Sequence, residues 1–238
     1  MSGDDQEVAE IAAALRAHAA WEAEICGGGW PEVDAPAAAR ALGQGAIVVP
    51  TGERRVALAG LAEQAAVCMR CGLHEGRTRG VFARGNPDAE LVFVGEAPGV
   101  DEDRRGEPFV GKAGQQLDKM IGAMGFARDA VYVCEVVKCR PPKDRAYTAA
   151  EAGACAPFLA AQLEAIRPKV IVALGRGAGQ ALGCVDAQKA SWRGAWGEWR
   201  GIPVMPTHHP GEVLRSSELR RPVWEDLQAV MAKLGISR

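Results

Sequence analysis

"AELVFVGEAPG", residues 89–99, decides the fold class. Leu91 to Val94 form an unbroken apolar run that stops at a Gly/Pro loop. A strand with one face in water alternates apolar and polar residues, whereas an unbroken run is buried on both faces. The same form recurs in "AVYVCEVVKC" (130–139), "KVIVALG" (169–175) and "GIPVMPTHHP" (201–210). Helical patterns separate these runs: "KAGQQLDKMIGAMG" (112–125), "TAAEAGACAPFLAAQLEAIRPK" (148–169) and, closing the chain, "VWEDLQAVMAKLG" (223–235). Thr148, with Glu151 three residues on, predicts a capping box at the start of the second of these helices. Strands alternating with helices predict an α/β, three-layer sandwich around a central, mainly parallel four-stranded sheet. In such sheets ligands bind beyond the carboxyl ends of the strands. Three of the four runs end there in polar sequence: "GEAPG" (95–99), "EVVKCRPP" (135–142) and "HHPG" (208–211).

"GEPFVGKAG" (106–114) is one residue short of a phosphate-binding P-loop. Ala113 stands where that loop needs a Ser or Thr hydroxyl for Mg²⁺, and "DEDRRGEP" rather than a buried strand precedes it. The stretch is therefore not read as an ATP site.

The 238 residues leave room for one large α/β domain with an appendage. Val8, Ile11, Leu15 and Ile25 suggest an amphipathic helix, followed by a Gly/Pro/Ala-rich linker. Residues 1–52 are thus expected to be an appendage and residues 53–238 the functional domain. No run of 18 apolar residues exists, so no membrane partner is expected. The acidic start "MSGDDQEVAE" has no basic region of a secretory signal, and a cytoplasmic monomer is expected. The net charge of −2 neither advertises nor excludes a nucleic-acid partner, because a local basic surface is what matters.

Seven cysteines in a cytosolic chain point to metal or buried thiols rather than disulfides. "RVALAGLAEQAAVC" (55–68) reads as a helix ending at the pair Cys68 and Cys71, while Cys139 and Cys155 lie at a strand end and on the next helix. Four soft thiolates suit zinc or an iron–sulfur cluster, and spacing alone leaves both, and no metal, open. Cys134 reads as a buried thiol, and Cys26 and Cys184 are also left over.

Taken together, "GEAPGVDEDRRGEPFVGKAGQQLDKMI" (95–121), "VYVCEVVKCRPPKDR" (131–145), "PKVIVALG" (168–175) and "THHPGEVLR" (207–215) resemble the family 4 uracil-DNA glycosylases. The resemblance runs from about residue 61 to 236. It implies a uracil-DNA glycosylase-like fold over residues 53–238 and one 4Fe–4S cluster on Cys68, Cys71, Cys139 and Cys155. The implied activity is monofunctional base-excision repair: uracil is flipped out of DNA and its N-glycosidic bond hydrolysed, leaving an abasic site. The implied partner is DNA, with nucleoid association when bound.

The same resemblance assigns roles. Gly95, Ala97, Phe109, Glu135 and His209 would form the base site, with the flipped base stacked on Phe109 and His209 hydrogen-bonded to uracil O2. His208 would point away. Breaking the bond leaves an oxocarbenium-like sugar and a base anion, which preorganised donors stabilise. Relatives that position water with an Asp carry it where Ala97 stands here, so Glu96 or Glu102 would position water or steady the sugar cation. The chain departs from the family at Glu135, where the pattern has an Asn that reads uracil. A carboxylate there opposes charge at O4; a protonated carboxyl, favoured by burial, imitates the amide.

Extruding a nucleotide costs a few kcal/mol of unstacking, which phosphate contacts and a wedge must offset. Val213 and Leu214 are the wedge candidates and Arg215 the phosphate clamp, with Lys138, Arg140, Lys143 and Arg145 as a second phosphate track. "PPKDRAYTAAE" lacks the His-containing, Arg-rich insertion of a relative that traps DNA covalently. Two further readings stand beside uracil excision: a glycosylase for hypoxanthine or xanthine, and a noncatalytic lesion-binding protein.

Overall fold

The computed structural model describes residues 51–186 and 191–236. The expected helix and linker before residue 51 and the leftover Cys26 lie outside these residues. In chain order the elements are α1 (Thr51–Ala66), β1 (Ala83–Gly85), β2 (Leu91–Gly95), α2 (Val100–Arg105), α3 (Lys112–Ala123), β3 (Tyr132–Glu135), α4 (Ala149–Ile166), β4 (Val170–Leu174), α5 (Arg176–Ala181), β5 (Gly197–Trp199), β6 (Ile202–Thr207), α6 (Pro210–Arg215) and α7 (Arg220–Lys233).

The sheet order is β1-β3-β2-β4-β6-β5. The four apolar runs form its parallel centre: β2 pairs with β3 and β4, and β4 with β6. The sequence reading missed β1 and β5, short antiparallel strands that cap the two edges. They have three residues each and are only partly buried, so they carry no continuous apolar signal.

Alternation within the central strands divides two cores. Leu91, Phe93, Val133, Val172 and Met205 face Leu117 and Ile121 of α3 and Trp224, Leu227 and Val230 of α7. Val92, Val94, Cys134, Ile171 and Val204 face Phe158, Leu159 and Leu163 of α4 and Leu58 of α1. Both faces are covered, which is why the strands read as unbroken apolar runs. The capping box opens α4: the Thr148 hydroxyl accepts from Glu151 N–H at 3.2 Å and Glu151 Oε2 accepts from Thr148 N–H at 2.7 Å.

β2 is flanked by β3 on one side and β4 on the other, and the chain reaches them in opposite directions. The carboxyl end of β2 is therefore a topological switch point, where open α/β sheets bind ligands.

Candidate active site

The last residue of β2, Gly95, is in register with the last residue of β3, Glu135. A side-chain carbon on Gly95 would lie 2.5 Å from Phe109 Cζ and 3.3 Å from Glu135 Cγ. The Phe109 ring thus rests on the bare backbone of β2, with Glu135 beside it. Phe109 adopts φ 55°, an uncommon conformation for a bulky residue, held at a cost of about 1–3 kcal/mol. Glu102 holds the loop that imposes it. Its Oε1 accepts from Val110 and Gly111 N–H, both at 2.9 Å, and its Oε2 from Gly99 N–H at 3.1 Å. The carboxylate ties the loop after β2 to the loop carrying Phe109, and both its oxygens are engaged in that task.

His209 caps the N-terminus of α6, and its ring lies 5.6 Å from that of Phe109, tilted by 31°. Its Nδ1 accepts from Gly211 N–H at 3.1 Å. That bond requires an unprotonated Nδ1, so the neutral ring carries its hydrogen on Nε2. Burial pulls the imidazole down to about 4, against the opposing charge of Glu212. At neutral pH His209 is therefore an uncharged Nε2–H donor. His208 bonds Glu212 Oε2 at 3.3 Å and meets Trp192 edge-on. It has a different set of contacts from its neighbour, as extended backbone requires.

Glu135 is 3% exposed, and its Oε2 has no hydrogen-bond partner among the described residues. Burial, then the negative Glu102, push its carboxyl up to about 8; Lys138 works the other way. Around pH 7 the side chain is mostly a neutral acid, with one donor and one acceptor to offer.

A cleft of about 470 Å³ opens beside His209 and is lined by Glu96, Ala97, Tyr147 and Gly177. Glu96 Oε1 accepts from Gly177 N–H at 2.7 Å, and burial raises its carboxyl above the ordinary range. Tyr147 is the residue that sequence reasoning missed; it lies in a loop with no periodicity to mark it.

Cys68, Cys71, Cys139 and Cys155 line a second, common cavity with Ala65 and Phe158. Two N–H donors point at its sulfurs: Arg77 Nη1 at Cys139 Sγ (3.2 Å) and the backbone of Lys138 at Cys155 Sγ (3.3 Å). Arg77 also bonds the carbonyls of Cys68 and Ala66. It thereby joins the Cys-x-x-Cys knuckle to the strand end. No three His, Cys, Asp or Glu side chains among the described residues are grouped to hold a single metal ion. Four thiols with N–H donors directed at them do fit a larger thiolate-bound cluster. Cys134 is buried in the sheet, and the Cys184 thiol donates to the Gly179 carbonyl.

Two of the expected DNA contacts are corrected. Lys138 is 1% exposed: its ammonium donates inward to the Glu135 carbonyl at 2.6 Å and stands over the Phe82 ring. It cannot reach a phosphate. Val213 is 1% exposed, on the face of α6 that packs toward α3, and is a core residue rather than a wedge. Leu214, the next residue, is 50% exposed, and Arg215 follows it at the end of the helix. Arg140 pairs with Asp144, and Arg145 forks onto both oxygens of Glu151. Lys143 is exposed, in the same turn.

Residues 82–228 match the model of the uracil DNA glycosylase superfamily. The chain is similar to a type-4 uracil-DNA glycosylase of Thermotoga maritima, 47% identical over 71% of this chain and 90% of the relative. It is 42% identical to one of Archaeoglobus fulgidus, over 68% of this chain and 86% of the relative. A third, of Sulfurisphaera tokodaii, is 40% identical over 71% and 81%.

Proposed function

The chain belongs to the uracil-DNA glycosylase superfamily, among its type-4 members, and from that premise we propose which of its residues excise uracil from DNA. The reaction is hydrolysis of an N-glycosidic bond in DNA repair. The observation that carries the assignment is the meeting of Gly95, Phe109, Glu135 and His209 at the carboxyl ends of β2, β3 and β6.

In this reading the flipped base lies against Phe109. The neutral Glu135 carboxyl reads its edge, accepting from N3–H and donating to O4. The electron pair of the breaking bond moves into the base, and the negative charge that develops on O2 is met by His209 Nε2–H. A neutral imidazole suits this role: its donor is fixed in place before charge develops, which is the source of electrostatic preorganisation. Glu96, in the cleft beside His209, holds the attacking water and steadies the sugar cation. Glu102 is the brace that keeps Phe109 in position. Leu214 wedges the base stack and Arg215 takes a phosphate, with Lys143, Arg140 and Arg145 as an outer basic track.

Cys68, Cys71, Cys139 and Cys155 would hold one 4Fe–4S cluster, supported by the donor set and the N–H groups directed at it. Such a cluster would supply thiolate–iron bonds that tie the segment after α1 to the segment after β3 and to α4. The domain is assigned to residues 53–238, although α1 already begins at Thr51. No helix among the described residues is long and apolar enough to cross a membrane. The test is excision from oligonucleotides carrying uracil, hypoxanthine or xanthine, run beside gel-shift binding. Release of uracil alone supports the assignment. Preferred release of a purine, or binding without release, overturns it.

A further inference from the structure

Helix α2 starts at Gly99, on the rim of the cleft that His209 borders, and stops at Gly106. Its six residues span about 9 Å. The acids and bases of this helix face different ways. Glu102 and Asp103 are buried, whereas Arg104 and Arg105, in the last turn, are exposed. Glu102 holds the loop of Phe109. Asp103 holds the segment before β1: its Oδ1 accepts from Thr78 N–H at 2.8 Å and from Arg79 N–H at 3.4 Å. Arg79, also exposed, is thereby brought to the end of α2. A carbon built on Gly106 would lie 3.4 Å from Arg79 Cδ, so its stem rests on the helix cap.

Three arginines thus gather at one helix end, and none has an ion pair or a side-chain hydrogen bond among the described residues. Asp103 could neutralise them but is spent on backbone, and the exposed Asp101 leans toward Gly111, 3.0 Å from a carbon built there. Like charges held together without a counter-charge repel one another, so the fold gains nothing from this cluster by itself. The loop that the sequence marks as basic is the reverse case. Arg140 and Arg145 are engaged by Asp144 and Glu151, and Lys138 is buried. Helix α6 repeats the layout of α2: it starts at His209 on the same cleft and carries Arg215 in its last turn.

We propose that Arg79, Arg104 and Arg105 form a phosphate clamp that grips the DNA backbone flanking the flipped nucleotide. The proposal rests on the reading of the chain as a DNA glycosylase. Each DNA strand carries a phosphate per about 3.4 Å of helix axis, so one length of α2 places these arginines within about three phosphates of the cleft. Arginine forks match phosphate oxygens, and a backbone contact suits any sequence around the lesion. Asp103 is the positioning residue that joins Arg79 to the other two.

The test measures binding of the full chain to a duplex holding one 2′-fluoro analogue of deoxyuridine, whose fluorine disfavours the sugar cation and keeps the base in place. Affinity is followed from low to high salt. Each phosphate contact contributes about 0.9 to the slope of log affinity against log salt. Changing Arg79, Arg104 and Arg105 together to Gln should lower that slope by roughly 2–3. The variant should melt no lower than wild type, since only repulsion is removed. Changing all three to Lys should keep the wild-type slope, because an ammonium also serves phosphate as a point charge. Arg55→Gln is the control. Arg55 is exposed on α1, whose neighbouring Arg54 bonds the Ile166 carbonyl at the amino ends of the strands, away from the cleft. It should leave the slope alone. A slope within about 0.5 of wild type in the Gln variant would overturn the proposal. So would an equal loss in the Lys variant, which would trace to disturbed structure, or a loss of about 0.9 in Arg55→Gln, which would trace to net charge alone. If the wild-type chain neither binds this duplex nor releases uracil, the parent reading falls and takes the clamp with it. If wild type does both and the Gln variant keeps its slope, the clamp alone falls.

Discussion

The imidazole of His209 and the ring of Phe109 face each other 5.6 Å apart, although 100 residues separate them in the chain. One comes from a loop strained to φ 55°, the other from a helix cap. Two independent devices thus hold the two rings in fixed relation. His209→Ala removes the proposed oxyanion donor and should lower single-turnover uracil release by about 10²–10³. Gel-shift affinity should survive, since Leu214 and Arg215 remain. Unchanged release in this variant would remove His209 from the mechanism.

Glu135 should set the alkaline limb of the pH profile. Burial and Glu102 raise its carboxyl to about 8, with Lys138 opposing and the thiol of Cys134 next to it in the strand. His209 stays neutral down to about 4, so it does not titrate in the same window. Excision should be level near neutral pH and fall as pH climbs through about 8, where the acid loses the proton it offers to O4. Glu135→Asn and Glu135→Gln should flatten that fall. Profiles identical to wild type would take Glu135 out of the pocket.

The same shift has a consequence for stability. The folded state keeps a proton on Glu135 that the unfolded chain gives up above its ordinary value of 4.5. Between there and about 8 the folded state binds more protons, so stability falls as pH rises. Glu135→Gln should therefore melt higher than wild type at pH 8, and by less at pH 5. A difference in melting temperature that does not grow with pH would contradict the buried, unpaired carboxyl.

The metal reading has a simple check. The purified protein should be brown, with a broad shoulder near ~400 nm and about four iron atoms per chain, as thiolate-bound 4Fe–4S requires. Replacing Cys68, Cys71, Cys139 or Cys155 by Ala should abolish the colour, and replacing Cys184 should not. A colourless protein holding one zinc per chain would be decisive against it.

The four unbroken apolar runs were legible because burial on both faces leaves no alternation, and Thr148–Glu151 was legible because capping is local. The meeting of Gly95, Glu135 and His209 was partly legible, since all three stand at strand ends. Long-range relations were not. Nothing local distinguishes Val213 from Leu214, or shows that Lys138 folds back onto the Glu135 carbonyl instead of facing solvent. Tyr147 was not marked because its neighbours Glu96 and Gly177 follow β2 and β4, far from it in the chain.

Val213 and Leu214 allow a last test, because neighbours on one short helix should fail in opposite ways. Val213 is buried against the core, so Val213→Ala removes packed methyl groups and should cost roughly 1–3 kcal/mol of stability. Leu214 projects from the other face, half exposed. Leu214→Ala should leave the melting temperature nearly unchanged. Its effect should appear in excision from duplex DNA, where a wedge offsets unstacking, and shrink on single strands, where there is little stack to break. An equal loss on both substrates would mean that Leu214 acts on base binding after extrusion. No loss on either would leave the wedge to another residue, and Arg215→Ala would then show whether α6 touches DNA at all.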